Sequence, residues 1–333
     1  MSNLRPLKTS KPMDAAMLAQ KWDMLRAINR DFLNTLRIDA DIVPDLYVGI
    51  SAEGKRCLVL KLPDNYTPDF RSVVKQNLSL ELYKETGWVI LALLDDSYAD
   101  LFDDLIVSVC SKIGQIPSTA DSVAELLKVF YKWSNFFHDP QTEDLSEETV
   151  RGLLGELLVL KQFLTVADFS QVNDILHSWR GPYGSRHDFT GERRGYEVKT
   201  PTSNSETVKI SSEFQLQPEP EKELELVVVT VVPDQQSGIS IQEAGVSIQK
   251  LVRARSGDCS IFFDALSAKG LTLHSLQRYD MFRYVPVRIV FYACTAENFP
   301  SLITSRLPAS ITAVSYRISI DSLTPFINRE ENF

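Results

Sequence analysis

An excess of positive charge, long apolar runs and paired cysteines are all missing from this chain. Lys and Arg number 35 against 44 Asp and Glu, a formal net charge of −9. An acidic protein holds non-specific DNA weakly, because phosphate contacts supply most of that affinity. Any nucleic acid it meets therefore needs a partner or a local groove. The longest apolar runs, 88–94 and 226–232, are far shorter than the ~20 residues that cross a bilayer. The first thirty residues have no signal-peptide core. No membrane contact is expected, and the expected location is cytoplasmic. Cys57, Cys110, Cys259 and Cys294 are scattered without a C-x-x-C pair. That spacing suggests neither a zinc site nor a disulfide framework.

What is present is ordinary for a globular protein: 44% apolar and 24% charged residues over 333 positions, enough for two domains. Residues 1–150 carry 16 Lys and Arg against 23 Asp and Glu, and residues 151–333 carry 19 against 21. The second half is thus close to neutral. His138-Asp139-Pro140 and the acidic stretch to Asp144 mark a boundary. The expected division is an N-terminal α/β domain at 1–145 and a second domain at 146–333.

The first domain starts on polar residues 1–12. Leu18, Trp22, Leu25, Ile28, Phe32 and Leu36 then have the spacing of one helix face over 15–36. Strands are expected at 47–51, 57–62, 78–83 and 88–94, and helices at 98–113 and 122–137. No catalytic constellation occurs in 1–145, which leaves specificity or partner binding as its role. In the second domain Ser146-Glu147-Glu148 opens a helix that carries Val150, Leu153, Leu154, Leu157, Leu158, Leu160 and Phe163. Strands are expected at 224–232, 260–263, 284–293 and 313–320. Helices are expected at 247–255, capped by Ser247, and at 299–307.

The chemistry concentrates between Trp179 and Gln215. In Tyr196-Glu197-Val198-Lys199-Thr200 side chains alternate between faces, so Glu197 and Lys199 share one. His187-Asp188-Phe189-Thr190 reads as a preceding strand, with Gly191–Gly195 as the turn. Such a hairpin brings Asp188 toward Glu197. Two carboxylates converging at a sheet edge form a hard oxygen site of the kind Mg²⁺ takes, completed by waters and substrate phosphate. Upstream, Glu156 falls on the apolar side of the leucine-rich helix, where a carboxylate is costly unless paired or bound to metal. Gly152 and Gly155 weaken that helix and imply close approach to the strand. Taken singly, Glu197 and Lys199 would also suit a solvated ion pair, Asp188 a turn, and His187 a structural neighbour. A second E-x-K, Glu53-Gly54-Lys55, lies in S-A-E-G-K-R, which reads as an exposed hairpin turn. Arg180, Arg186, Arg193, Arg194 and Lys209 surround the site in sequence and suit phosphates or plain solvation.

The order Glu156, then Asp188, then Glu197-Val198-Lys199 resembles the PD-(D/E)XK nuclease superfamily. The flanking text G-L-L-G-E-L-L-V-L, W-R-G-P, Y-E-V-K-T and S-S-E-F-Q-L is similar to a bacterial branch often encoded near restriction and phage-defence genes. The motif-bearing match covers about residues 146–216. His187 stands where the superfamily motif has proline.

This resemblance implies that Asp188 and Glu197 bind Mg²⁺, with Mn²⁺ able to substitute. Glu156 would ligate a second metal or a metal-bound water. Lys199 would orient the attacking water and stabilise charge on the phosphate. Gln215 would sit on a helix and contact substrate or water. The expected fold is α/β, a restriction-endonuclease-like core at about 146–240 with a central mixed sheet flanked by helices. An N-terminal α/β domain and a C-terminal α+β extension complete it. The expected activity is Mg²⁺-dependent endonucleolytic hydrolysis of DNA in restriction or phage defence, with defence-system subunits as partners and a homodimer for cutting both strands. RNA and branched DNA carry the same phosphodiester. A non-catalytic scaffold or DNA-recognition subunit is the alternative reading.

Overall fold

The computed structural model describes residues 13–28, 33–138, 144–302, 307–308, 310–311 and 313–333. The expectations for 1–12, for Phe32, for 139–143 at the domain boundary and for 303–306 lie outside these residues. The chain divides into two compact units, 1–138 and 139–333.

In the first unit, helix α1 (Ala15–Arg26) is capped by Asp14, whose carboxylate accepts the Met17 N–H at 2.9 Å. It buries Leu18, Trp22 and Leu25 and stops well short of the expected residue 36. Leu36 instead belongs to β1 (Asn34–Arg37), because pairing with the next strand outweighs a weak helical pattern. Strands β2 (Asp45–Ile50), β3 (Arg56–Lys61), β4 (Val73–Val74), β5 (Leu78–Tyr83) and β6 (Trp88–Leu93) complete an antiparallel sheet. Its order is β1-β2-β3-β6-β5-β4. Helices α2 (Ala99–Ile113) and α3 (Thr119–Ser134) follow and bury Phe102, Leu105, Phe130 and Trp133. The Ser51 N–H bonds the Lys55 carbonyl at 2.9 Å and Gly54 has φ 79°. Glu53-Gly54-Lys55 is therefore a hairpin turn between β2 and β3.

The second unit opens with α4 (Glu147–Val166), capped by the Ser146 hydroxyl on the Thr149 N–H at 3.2 Å. There follow α5 (Val172–Ser178), β7 (Phe189–Thr190), β8 (Arg194–Lys199), β9 (Thr207–Ile210), β10 (Glu223–Pro233), α6 (Ile241–Ala254), α7 (Cys259–Ala268), β11 (Tyr284–Ala293), β12 (Tyr316–Ser319) and β13 (Ile327–Asn332). Five strands form a mixed sheet in the order β13-β11-β10-β8-β7. Only β10 and β8 run parallel, with Leu226 opposite Glu197. β10 is apolar from Leu226 to Val232 but for Thr230, because both its faces are buried over most of that length. α4 packs against both β8 and α6. β9 and β12 make a separate pair whose Val208, Ile210 and Ile318 share a core with Leu216, Leu226 and Leu323. A mixed sheet flanked by helices, within an α/β protein, is the expected class. β11 and β13 extend that sheet beyond the segment 146–240.

Several local expectations fail here. α6 starts at Ile241, with Ser240 and Glu243 in a reciprocal capping box, so Ser247 lies inside the helix and caps nothing. Residues 260–263 are helical, because Asp258 caps the Ser260 N–H at 2.9 Å and launches α7. The described residues 299–302 form no helix. β13 was not foreseen, since its six residues are all exposed and mostly polar. No helix among the described residues is long and apolar enough to cross a membrane.

The two glycines of α4 differ. A Cβ on Gly155 would stand 1.8 Å from Thr200 Oγ1, 3.0 Å from its Cβ and 3.2 Å from its Cγ2. No rotation of the threonine relieves that. Gly152 has nothing within 4 Å, so the expectation of close approach holds only at Gly155. Gly155→Ala is expected to destabilise the protein by about 1–3 kcal/mol through overpacking. Gly152→Ala is expected to stabilise it by about 0.5–1 kcal/mol through helix propensity. Urea unfolding midpoints of the two variants check the opposite signs.

Candidate functional site

Residues from α4, the α5–β7 connection, β8 and the β9–β10 connection meet at one end of the mixed sheet. Glu197 and Lys199 share a face of β8, and the Lys199 Nζ donates to Glu197 Oε1 at 2.7 Å. Glu197 is only 2% exposed. Asp188 precedes β7 rather than lying in a strand from 187. Its carbonyl accepts the N–H groups of Arg180 (2.7 Å) and Gly181 (2.9 Å). Its Oδ2 accepts the Val198 N–H at 2.8 Å, which fixes the carboxylate beside β8. The hairpin pairs Phe189 with Tyr196 and Thr190 with Gly195, so the turn is 191–193 and β8 starts earlier than expected.

Glu156 comes from α4. Its Oε2 accepts the indole N–H of Trp179 at 2.7 Å, and its Oε1 lies 3.5 Å from Lys269 Nζ. A Cβ on Gly181 would lie 2.8 Å from both Glu156 Oε2 and Asp188 Oδ1. The two oxygens therefore flank a small space that exists because residue 181 has no side chain. Arg151 Nε donates to the Thr200 carbonyl at 2.9 Å, tying α4 to the end of β8. Gln215 is in a turn, not on a helix. Its Oε1 accepts from Lys199 Nζ at 3.2 Å and from the Ser211 N–H at 2.7 Å. His187 is buried, and burial lowers its pKa.

Electrostatics tie the acids together. Glu197 is pushed up to about 8, first by burial and then by the Asp188 and Glu156 charges, against the pull of Lys199. Glu156 is raised by burial and by Asp188, opposed by Lys269 and Trp179. Asp188 is raised by burial, opposed by the Val198 N–H, Lys199 and Lys269. Buried like charges this close hold protons that a cation would displace.

The donor set fits a hard divalent cation: three carboxylates, no sulfur, and a cradle at Gly181 that any larger residue would fill. The acids are neighbours without being closed on one point. No group of three His, Cys, Asp or Glu among the described residues forms a ready-made metal site. Lys199 engages Glu197 Oε1 and Lys269 engages Glu156 Oε1, while Glu156 Oε2 and Asp188 Oδ1 face the space at Gly181.

Mn²⁺ affinity is expected to rise with pH between about 6.5 and 8, as Glu156, pushed up to about 7, and Glu197, pushed up to about 8, give up the protons that compete with the ion. Titration by electron paramagnetic resonance at several pH values checks the slope. The folded value of Glu197 lies above its unfolded value. Its contribution to stability is therefore complete at acid pH and is lost as pH rises through about 8.

Three participants escaped the sequence reading. Trp179 and Gly181 stand in the W-R-G-P text without a role being visible there. Lys269 is 113 positions from the residue it touches. Among the arginines, Arg180 lies over Tyr183 (5.0 Å) and Arg186 over Phe214 (5.5 Å), all four side chains exposed. Arg194 is not a free phosphate ligand, because it is paired with Glu223 and Glu225.

The family model described as "Putative PD-(D/E)XK family member, (DUF4420)" matches residues 18–321. No curated protein and no solved structure matches the chain.

Proposed function

The chain belongs to this PD-(D/E)XK family, and from that membership we propose that it is a Mg²⁺-dependent endonuclease hydrolysing DNA phosphodiester bonds. The observation that carries the reading is the meeting of Glu156, Asp188, Glu197 and Lys199 at one end of the mixed sheet. Glu156, Asp188 and Glu197 are the residues that would hold the cation. A bound divalent ion supplies Lewis-acid polarisation of the phosphoryl oxygen and an acidified water.

The chain's own residues do the rest. Lys199 presents an ammonium to the phosphate and is aimed by Glu197 and Gln215. Trp179 holds Glu156 in place. The α4 helix and the buried β10 strand close the back of the site to bulk water. At its margin, Arg180 with Tyr183 and Arg186 with Phe214 offer cationic groups and aromatic faces. Phosphates and bases meet such groups. These few contacts on an acidic protein favour delivery of DNA by partner subunits, in a restriction or phage-defence setting. The first unit is the candidate partner or specificity element.

The test is cleavage of plasmid and linear DNA by the full chain with Mg²⁺, with EDTA, and by Asp188→Ala. Cleavage by the wild type with Mg²⁺ only, absent in Asp188→Ala, is the expected result. Equal cleavage by variant and wild type sinks the site assignment. Mn²⁺ binding without cleavage of any DNA would leave the scaffold reading in its place.

A further inference from the structure

Lys269 is the last piece of the site and the one with no place in the E-x-K order. It is the C-terminal cap of α7, and its backbone is fixed. Its N–H bonds the Leu266 carbonyl at 3.0 Å, the Gly270 N–H bonds the Ser267 carbonyl at 2.9 Å, and the Leu271 N–H bonds Leu266 again at 3.0 Å. Gly270 takes φ 71° to close the end. α7 also carries Phe262, which stacks on Trp179 at 5.9 Å. The helix that buttresses the indole on Glu156 Oε2 thus delivers a lysine to Oε1. A lysine at a helix C-terminus is favoured by the dipole, which explains the residue there. It does not explain an ammonium turned onto a buried acid.

The two lysines are held differently. Lys199 sits 2.7 Å from Glu197 with its side chain 17% exposed, whereas Lys269 sits 3.5 Å from Glu156 and is 26% exposed. Lys269 therefore reaches in from the open side with the longer and looser contact. With Glu197 holding its proton, three acids against two ammonium groups leave the metal-free cluster without excess charge. A divalent cation that displaces that proton would bring the three carboxylates and two ammonium groups to one positive charge. A phosphodiester, carrying one negative charge, restores balance.

We propose that Lys269 is a phosphate-binding residue: in the metal-free protein it neutralises Glu156, and when a divalent cation takes that carboxylate it turns its ammonium to a phosphodiester oxygen of the substrate. This rests on the nuclease reading. Its consequence is that cation and nucleic acid load together. Lys269 competes with the cation for Glu156, and the substrate gives the displaced ammonium a new partner.

The test uses the full chain with Lys199→Ala as background, so that bound DNA is not turned over. Mn²⁺ affinity is read by electron paramagnetic resonance without DNA. Affinity for a fluorescein-labelled oligonucleotide is read by anisotropy with Mn²⁺ present. Adding Lys269→Met should tighten Mn²⁺ about fivefold, since a competitor has gone, and weaken the oligonucleotide about tenfold or more. Lys269→Arg should recover most of the DNA affinity. These opposite signs separate a phosphate ligand from a strut. Loss of both affinities together, or an unchanged DNA affinity in Lys269→Met, overturns the proposal. If Lys269→Met fails to fold, the Lys269→Gln variant is read by the same criteria. A protein with Lys199 and Lys269 intact that binds Mn²⁺ but no DNA overturns the nuclease reading and this proposal with it. Cleavage that is equal with and without Lys269 overturns this proposal alone.

Discussion

Lys199→Ala is expected to lower metal-dependent cleavage by about 10²–10³-fold, the cost of removing one donor aimed at developing negative charge. The ammonium is placed by two acceptors, Glu197 Oε1 at 2.7 Å and Gln215 Oε1 at 3.2 Å. Its loss takes away a charge at the phosphate while leaving the three carboxylates in place. Cation binding should therefore survive where catalysis does not. Mn²⁺ titration alongside single-turnover cleavage reads the two separately. Lys199→Arg should not rescue, because a planar fork cannot occupy the position of a compact ammonium between these two acceptors. Full activity in Lys199→Ala would remove the lysine from the chemistry.

Gly181→Ala is the second large effect. The added methyl would lie 2.8 Å from Asp188 Oδ1 and 2.8 Å from Glu156 Oε2, and 3.3 Å from the Asp188 Cα. It occupies the space between the two acids that a cation would use. Weakening of Mn²⁺ binding by about 10²-fold is expected, at the upper end of what disturbing a metal's surroundings causes. The backbone of Gly181 is held through its N–H to the Asp188 carbonyl and through its own carbonyl, which accepts the Gly184 N–H; alanine keeps both, so the fold should persist. Unchanged Mn²⁺ affinity in a folded Gly181→Ala protein would move the cation elsewhere.

The sequence was most legible where a local rule sufficed. Alternation along β8 placed Glu197 and Lys199 on one face, a serine followed by two acids marked the start of α4, and an apolar run broken only at Thr230 marked β10. It failed where contacts are long-range or the local signal is ambiguous. Ser260-Ile261-Phe262-Phe263 has strand-forming residues, yet the Asp258 cap and the apolar run on to Ala268 make a helix. Ser247 had the chemistry of a cap, but Ser240 has a glutamate three residues later to complete the box. Leu36 continued a helical spacing by coincidence and pairs with Val48 in a sheet. The carboxylates could be proposed from order and spacing. The groups that surround them could not: Gly181 matters through the side chain it lacks, and Lys269 reaches Glu156 across 113 positions.

The Thr200 side chain packs on the bare backbone of Gly155, and the Arg151 side chain holds the Thr200 carbonyl, so the helix backbone lies close against the end of the strand. The spacing of their acids is then set by how closely these two elements approach. A jaw set at a fixed width grips small ions that keep strict geometry and rejects those needing a wider, looser shell. Discrimination of magnesium from calcium would in that case be decided at a threonine and a glycine that never touch the ion.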